Sequence, residues 1–218
     1  MRAALAALLV TAPAFATMPD ATSPPNGQRL VFLGDSLTAG YMLNRQSAYP
    51  ALIEQRIRAA GLPWTVLNAG VSGDTSAGAL RRADAILRDP VGLLVLWIGG
   101  NDGLRGQDTG ALKRNVTQIL ASAKAKQVPV MLVEMHMPPN LGRDYTRAFS
   151  AVFTDVAREL SVPLIPFALD GTAGEEDMNL ADGIHPNARG HQKIAEHLWR
   201  YLEPRLRELT PRETRNVR

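Results

Sequence analysis

The amino-acid sequence predicts an α/β protein: a three-layer α/β/α sandwich built on one five-stranded parallel sheet. Short apolar runs alternate five times with longer segments whose apolar residues recur at helical spacing. This alternation is typical of helices that cover both faces of a parallel sheet, joined to it by right-handed crossovers. The 218 residues are 45% hydrophobic, so one core of ordinary size is expected.

The first two β-α units lie before the middle of the chain. A strand is expected over residues 30–33, where an apolar run ends at Gly34, and a helix over residues 48–60, which stops at Gly61. A second strand is expected over residues 65–67. The helix expected after it, over residues 75–87, has its apolar residues on one stripe.

Three further β-α units follow. The run at residues 92–98, GLLVLWI, is apolar throughout, which indicates a strand buried on both faces. The rest of the pattern is a helix over 111–126, a strand over 130–134, a helix over 145–160, a strand over 164–167 and a closing helix over 188–206. With the strand order 2-1-3-4-5, the order reverses between strands one and three, and ligands are expected at their carboxyl ends.

Composition and charge exclude several classes of protein. Without cysteine, the chain has no disulfide, no thiolate nucleophile and no Cys-ligated metal site. The net charge of +3 comes from residues 204–218, which hold five arginines and two glutamates, and the rest of the chain is formally neutral. We therefore expect no nucleic-acid partner, and we interpret residues 208–218 as a basic, solvated tail.

The first residues have the pattern of a secretory signal peptide. Residues 1–16, MRAALAALLVTAPAFA, contain one basic residue, an apolar run and the small-x-small cleavage pattern Ala14-Phe15-Ala16. The apolar run is too short to cross a bilayer, so no stable membrane insertion is expected. The prediction is a linker over residues 17–28, one folded domain over residues 29–207, and export to the periplasm or the medium.

The loops that follow the predicted strands hold the chemically reactive side chains. Ser36 follows strand one, Gly73 strand two and Asn101 strand three, and Asp182 and His185 lie in a Gly-containing loop after strand five. A serine hydroxyl needs a base, and the base needs a partner that fixes its tautomer. His185 and Asp182 can supply both. The N–H groups of Ser36 and Gly73 and the amide of Asn101 can stabilise an oxyanion.

The strings around these residues resemble a known family. GDSLTAGY at Ser36, NAGVSGDTSAGALRR at Gly73, IGGNDGLRG at Asn101 and DGIHPNARGH at Asp182 and His185 match, in order, the blocks of the SGNH (GDSL) hydrolases. They look like the bacterial branch of arylesterases, lysophospholipases and acyl thioesterases. The resemblance implies a flavodoxin-like fold, a Ser36 nucleophile, an Asp182–His185 dyad, an oxyanion hole of Ser36, Gly73 and Asn101, and no metal or cofactor.

The implied reaction is hydrolysis of carboxylic esters and thioesters of acyl chains through an acyl-enzyme, with a small-molecule or lipid ester as substrate. Leu141 follows Pro-Pro-Asn where this branch often has an aromatic residue, which leaves the shape of the acyl pocket open. We take His136, Pro138 and Leu141 as candidate substrate-lining residues. His136 follows strand four, with no acidic partner expected at short spacing.

Other interpretations stay open at this stage. A carbohydrate O-acetyl esterase would use the same fold and dyad, and the scattered Asp, Asn and His residues superficially resemble those of a metal-dependent phosphoesterase. Against a metal site, no second histidine pairs with His185 at ligand spacing. Turn hydrogen bonding accounts for Ser72 and Ser76, and turn hydrogen bonding with support of neighbouring loops accounts for Asp35 and Asp102. The acyl chain length and the oligomeric state do not follow from the sequence.

Overall fold

A five-stranded parallel sheet forms the centre of the protein. The computed structural model describes residues 28–211. Its strands are β1 (Arg29–Gly34), β2 (Thr65–Gly70), β3 (Leu93–Trp97), β4 (Val130–Val133) and β5 (Leu164–Ile165). They lie side by side in the order β2-β1-β3-β4-β5, and all neighbours run parallel. The predicted sheet is therefore confirmed.

Helices cover both faces of this sheet. They are α1 (Ser36–Ala39), α2 (Tyr49–Ala59), α3 (Ser76–Ile86), α4 (Gly100–Leu104), α5 (Thr109–Ala125), α6 (Arg143–Leu160) and α7 (Ala188–Leu209). Helix α2 packs against α7, whereas α5 packs against both α3 and α6. With the sheet between these two groups, the result is the predicted three-layer sandwich.

The hydrophobic core lies on both faces of the central strands. Every residue of β3 and β4 is buried, and so is every residue of β1 after Arg29. The predicted burial of the run at residues 92–98 is confirmed for residues 93–98, and Gly92 is half-buried. Each Leu, Ile or Phe side chain fully removed from water contributes about 1.5–3 kcal/mol. The core therefore holds the strand ends, and the loops after them, in fixed relative positions.

Some boundaries differ from the predicted ones. Strand β5 ends at Ile165 rather than at residue 167, since Pro166 has no N–H to donate to a ladder. Helix α7 continues to Leu209 and so includes the first residues of the predicted tail. The predicted signal peptide at residues 1–16, the predicted linker up to residue 27 and the predicted tail from residue 212 lie outside the described residues. Within residues 28–211, no helix is long and apolar enough to cross a membrane.

Candidate active site

The parallel register brings the ends of three strands side by side. Gly34, the last residue of β1, is paired with Gly70 of β2 and with Trp97 of β3. The loops that follow these strands therefore share one edge of the sheet. The loop at residues 182–185 reaches the same edge, where His185 contacts Ser36.

Ser36 is held at the first position of α1, directly beyond β1. The Asp35 side-chain oxygen Oδ1 accepts the Leu37 N–H at 3.0 Å and thereby caps the helix. A Cβ at Gly34 would lie 2.6 Å from the Trp97 carbonyl oxygen, so only glycine allows the turn to approach β3 this closely. The serine is therefore fixed at the point where the strand order reverses.

Ser36, His185 and Asp182 form one chain of hydrogen-bonded groups. Ser36 Oγ lies 2.9 Å from His185 Nε2, and His185 Nδ1 lies 2.7 Å from Asp182 Oδ2. Asp182 Oδ1 accepts the N–H groups of Ile184 and His185. Hydrogen bonds lower the pKa of Asp182 to about 2; their donors are, in order of effect, the backbone N–H of His185, the imidazole ring of His185 and the backbone N–H of Ile184. The carboxylate is therefore ionised at neutral pH and orients the imidazole ring.

The loop after β2 and the start of α4 bring two further donor groups to this edge. Gly73 has a φ of 80°, which favours glycine, and Asn101 lies in the first turn of α4. One N–H of the Asn101 amide donates to the Asp74 carbonyl oxygen at 2.9 Å, which leaves the second N–H for a ligand. Arg105 donates to the Gly73 carbonyl oxygen at 3.1 Å. These bonds join the Gly73 loop to α4.

An apolar cavity of about 440 Å³ opens beside Ser36. Asn101 and His185 also line it, so Ser36, His185 and Asn101 face the same space as the hydrophobic wall, whereas Gly73 and Asp182 are not among its lining residues. That wall consists of aliphatic, thioether and aromatic side chains: Leu37, Leu104, Met135, Met137, Phe167, Leu169 and Ile184. A hydrocarbon chain can therefore lie in the cavity with its polar end at the Ser36 hydroxyl.

The three candidate lining residues have different positions. His136 and Pro138 line the cavity, whereas Leu141 lies in a 3-10 turn and is not one of its lining residues. His136 stacks on Phe167 with ring centroids 4.5 Å apart, and its Nε2 lies 2.9 Å from Glu134 Oε1. The expectation that His136 has no acidic partner is therefore wrong. Residues two apart in extended backbone point to the same side, which brings Glu134 within reach.

Comparison with known proteins identifies the family. Residues 32–193 match the GDSL-like Lipase/Acylhydrolase family. The chain belongs to this family. It is 38% identical over 186 residues to esterase TesA of Pseudomonas aeruginosa, which covers 85% of this chain and 92% of that protein. It is also 38% identical to thioesterase 1/protease 1/lysophospholipase L1 of Escherichia coli K12, over 80% of this chain and 83% of that protein.

A solved structure agrees with this membership. The crystal structure of the psychrotrophic esterase EstA from Pseudoalteromonas sp. matches with a TM-score of 0.78 at 30% identity, covering 83% of this chain and 99% of that one. The protein is therefore a GDSL-like hydrolase that acts on ester bonds.

Two buried carboxyl groups of this GDSL-like hydrolase lie close to the site. Asp35 is only 1% exposed, and burial raises its pKa to about 7. Asp102 accepts the backbone N–H and the hydroxyl of buried Ser76, which joins α4 to the start of α3. Both carboxyl groups thus support neighbouring loops, as predicted. Within residues 28–211, no three His, Asp or Glu side chains are grouped as metal ligands would be.

Sequence reasoning missed a residue that contacts the Gly73 loop of the GDSL-like hydrolase. Arg82 in α3 donates to the Asp74 carboxylate at 2.7 Å and also to two backbone carbonyl groups. It belongs to the string NAGVSGDTSAGALRR, but neither its type nor its spacing distinguishes it from its neighbour Arg81.

Proposed function

We propose that Ser36 is the nucleophile of this ester hydrolase and that His185 and Asp182 activate it. The observation that carries the proposal is the unbroken chain from Ser36 Oγ to His185 Nε2 (2.9 Å) and from His185 Nδ1 to Asp182 (2.7 Å). His185 accepts the hydroxyl proton as Ser36 Oγ attacks the carbonyl carbon, and Asp182 stabilises the imidazolium. The leaving alkoxide or thiolate then takes this proton from His185, which leaves an acyl-enzyme.

The same groups hydrolyse the acyl-enzyme. Water gives a proton to His185 and attacks the acyl carbon, and the acid leaves as Ser36 Oγ regains its proton. In both tetrahedral intermediates the oxyanion accepts hydrogen bonds from the N–H groups of Ser36 and Gly73 and from the Asn101 amide. Removal of one such donor typically lowers kcat by about 10²–10³-fold. No metal or cofactor takes part in the proposed steps.

The proposed substrate is an ester or thioester of an acyl chain. The walls formed by Leu37, Met137 and Leu169 offer close packing to a hydrocarbon, but they lack the hydrogen-bonding groups that a sugar would need on burial. The similar proteins of P. aeruginosa and E. coli are named esterase, thioesterase and lysophospholipase, which is in keeping with this chemistry. The apolar wall favours an acyl ester over a carbohydrate acetyl ester.

We further propose that residues 1–16 direct export to the periplasm or the medium. The support is the small-x-small pattern that ends this segment. Residues 1–203 are formally neutral, which favours a small-molecule or lipid ester as partner over nucleic acid.

The nucleophile is tested by removing its hydroxyl. Ser36→Ala is expected to lower kcat on p-nitrophenyl esters by at least about 10⁴-fold, with an unchanged circular dichroism spectrum. Ser72→Ala, at an exposed serine of the neighbouring loop, is expected to retain turnover. Substantial turnover by the Ser36 variant would disprove the nucleophile assignment.

The acyl site is tested by a series of chain lengths. Each methylene that enters the cavity contributes about 0.8 kcal/mol, so kcat/KM is expected to rise up to about 4-fold per carbon until the cavity is full. Initial rates on p-nitrophenyl esters and on acyl thioesters of equal chain length measure both the acyl preference and the choice of oxygen or sulfur. Rates that do not depend on chain length would contradict an acyl site in this cavity.

A further inference from the structure

The guanidinium of Arg82 binds three acceptors at the catalytic edge of the sheet. Its Nε donates to Asp74 Oδ2 at 2.7 Å, Nη1 to the Ala69 carbonyl oxygen at 2.6 Å, and Nη2 to the Gly34 carbonyl oxygen at 2.7 Å. Each acceptor belongs to a different part of the edge: the end of β1, the end of β2 and the loop after β2. Arg82 itself lies on α3, so one side chain joins four segments.

These acceptors are adjacent to the groups assigned to the oxyanion hole. Gly34 is two residues before Ser36, and Asp74 directly follows Gly73. The Asp74 carbonyl oxygen accepts the Asn101 amide at 2.9 Å. Each proposed donor is therefore close to an acceptor of Arg82. Ser36 and Gly73 lie within two residues of such an acceptor along the chain, and Asn101 donates to Asp74, which also binds Arg82.

The surroundings of Arg82 make these bonds effective. Its side chain is 23% exposed and that of Asp74 is 11% exposed, so water competes little for either charge. The Gly34 carbonyl oxygen also accepts the Val71 N–H at 3.1 Å, which occupies both of its lone pairs and fixes the peptide plane. A planar guanidinium presents donors in three fixed directions, which the single ammonium group of lysine does not.

We propose that Arg82 is a positioning residue for the oxyanion hole. It sets the distance between the Ser36 N–H on one side and the Gly73 N–H and Asn101 amide on the other. Arg82 touches neither the substrate nor the reacting atoms, and it acts through the backbone of Gly34 and Asp74. This proposal rests on the proposed function, because it concerns the donors assigned to the same site.

The test separates positioning from simple stabilisation of the fold. Arg82→Lys is expected to lower kcat by about 10–100-fold with KM within about 3-fold of wild type, since an error of about 1 Å in a catalytic group costs this much. A trifluoromethyl ketone with the preferred acyl chain forms a reversible tetrahedral adduct with the serine, and its oxyanion needs the same donors. Its inhibition constant is expected to rise by the same factor as kcat falls.

Two further variants control the interpretation. Arg81→Lys, at the exposed neighbouring arginine, is expected to keep wild-type kcat and ketone inhibition. Asp74→Asn tests the same link from the other side and is expected to change both quantities in the same direction by a smaller factor. If near-UV circular dichroism shows that Arg82→Lys has lost its fold, Asp74→Asn serves as the test variant instead.

Two results would overturn the proposal. One is a folded Arg82→Lys variant with a lower melting temperature but unchanged kcat and ketone inhibition. The other is a fall in kcat without a change in ketone inhibition. Failure of the proposed function is distinct, because it appears as turnover by Ser36→Ala whatever the Arg82 variants do.

Discussion

Gly73 and Gly106 have similar backbone geometry in different surroundings. Their φ angles are 80° and 60°, and a Cβ at either position would meet no atom closer than 4.0 Å. Alanine is therefore expected to cost about 1–2 kcal/mol of stability at both, from the backbone alone. Only Gly73→Ala displaces a proposed oxyanion donor, so its kcat is expected to fall at least about 10-fold, with kcat of Gly106→Ala within about 2-fold of wild type. Steady-state rates measure the effect on kcat, and urea unfolding measures the effect on stability. Equal kcat values for the two variants would show that Gly73 is not part of the oxyanion hole.

At the scale of residues, the sequence predicts those whose type is itself reactive. Ser36, Asp182 and His185 can be found because a serine, a histidine and an aspartate in strand-following loops suggest one chemistry, and the structure joins them by hydrogen bonds. Arg82 cannot be found in this way. Two of its acceptors are backbone carbonyl groups 13 and 48 residues away along the chain, and a carbonyl group has no sequence signature.

At the scale of elements, helices with an apolar stripe are predictable and short ones are not. The starts of α2, α3, α5, α6 and α7 lie within two residues of their predicted positions. Helix α1 has four residues and α4 has five, too short to form without tertiary support. That support comes from long-range bonds: Thr38 to the Tyr49 hydroxyl at 2.8 Å for α1, and Asp102 to Ser76 for α4.

Pro204 lies inside α7, where it removes one backbone hydrogen bond and crowds the preceding turn. The helix continues because Leu202 and Leu206 on either side are fully buried. Pro204→Ala is expected to raise the free energy of unfolding by about 1–2 kcal/mol, part of the gain being offset by a more flexible unfolded chain. Activity is expected to stay unchanged, because none of the residues that line the cavity in the described structure belongs to α7. Urea unfolding measures the change; a loss of stability would show that contacts of the proline ring dominate.

At the scale of the whole molecule, the strand order follows from a pattern spread over the chain. Five alternations with right-handed crossovers leave few topologies, and the order 2-1-3-4-5 is confirmed. The site then follows from the fold, because the order reverses where Ser36 and Asn101 emerge. The burial of individual polar side chains does not follow from the strand order. That Asp35 and His191 are each only 1% exposed depends on how the layers close around them.

These two buried groups give the stability of the molecule opposite pH dependences. Burial raises the pKa of Asp35 from 3.8 to about 7 and lowers that of His191 from 6.5 to about 4. Between about pH 4 and 6.5, folded Asp35 keeps a proton that the unfolded chain has released, so its contribution falls by about 1.4 kcal/mol per pH unit. Over the same range, folded His191 lacks a proton that the unfolded chain binds, so its contribution rises equally. The two slopes cancel.

Removing one of the two titrating groups is expected to reveal the pH dependence of stability that the other contributes. Relative to wild type, the free energy of unfolding of Asp35→Asn should rise by about 3 kcal/mol between pH 4 and 6.5, and that of His191→Gln should fall by about the same amount. Asn can still accept the Leu37 N–H and Gln the Tyr49 N–H, so both changes remove a titration with little change in hydrogen bonding. Urea unfolding at several pH values measures the slopes. The double variant should run parallel to wild type. If the free energy of unfolding of each single variant also changes with pH as in wild type, burial does not shift the pKa of either group.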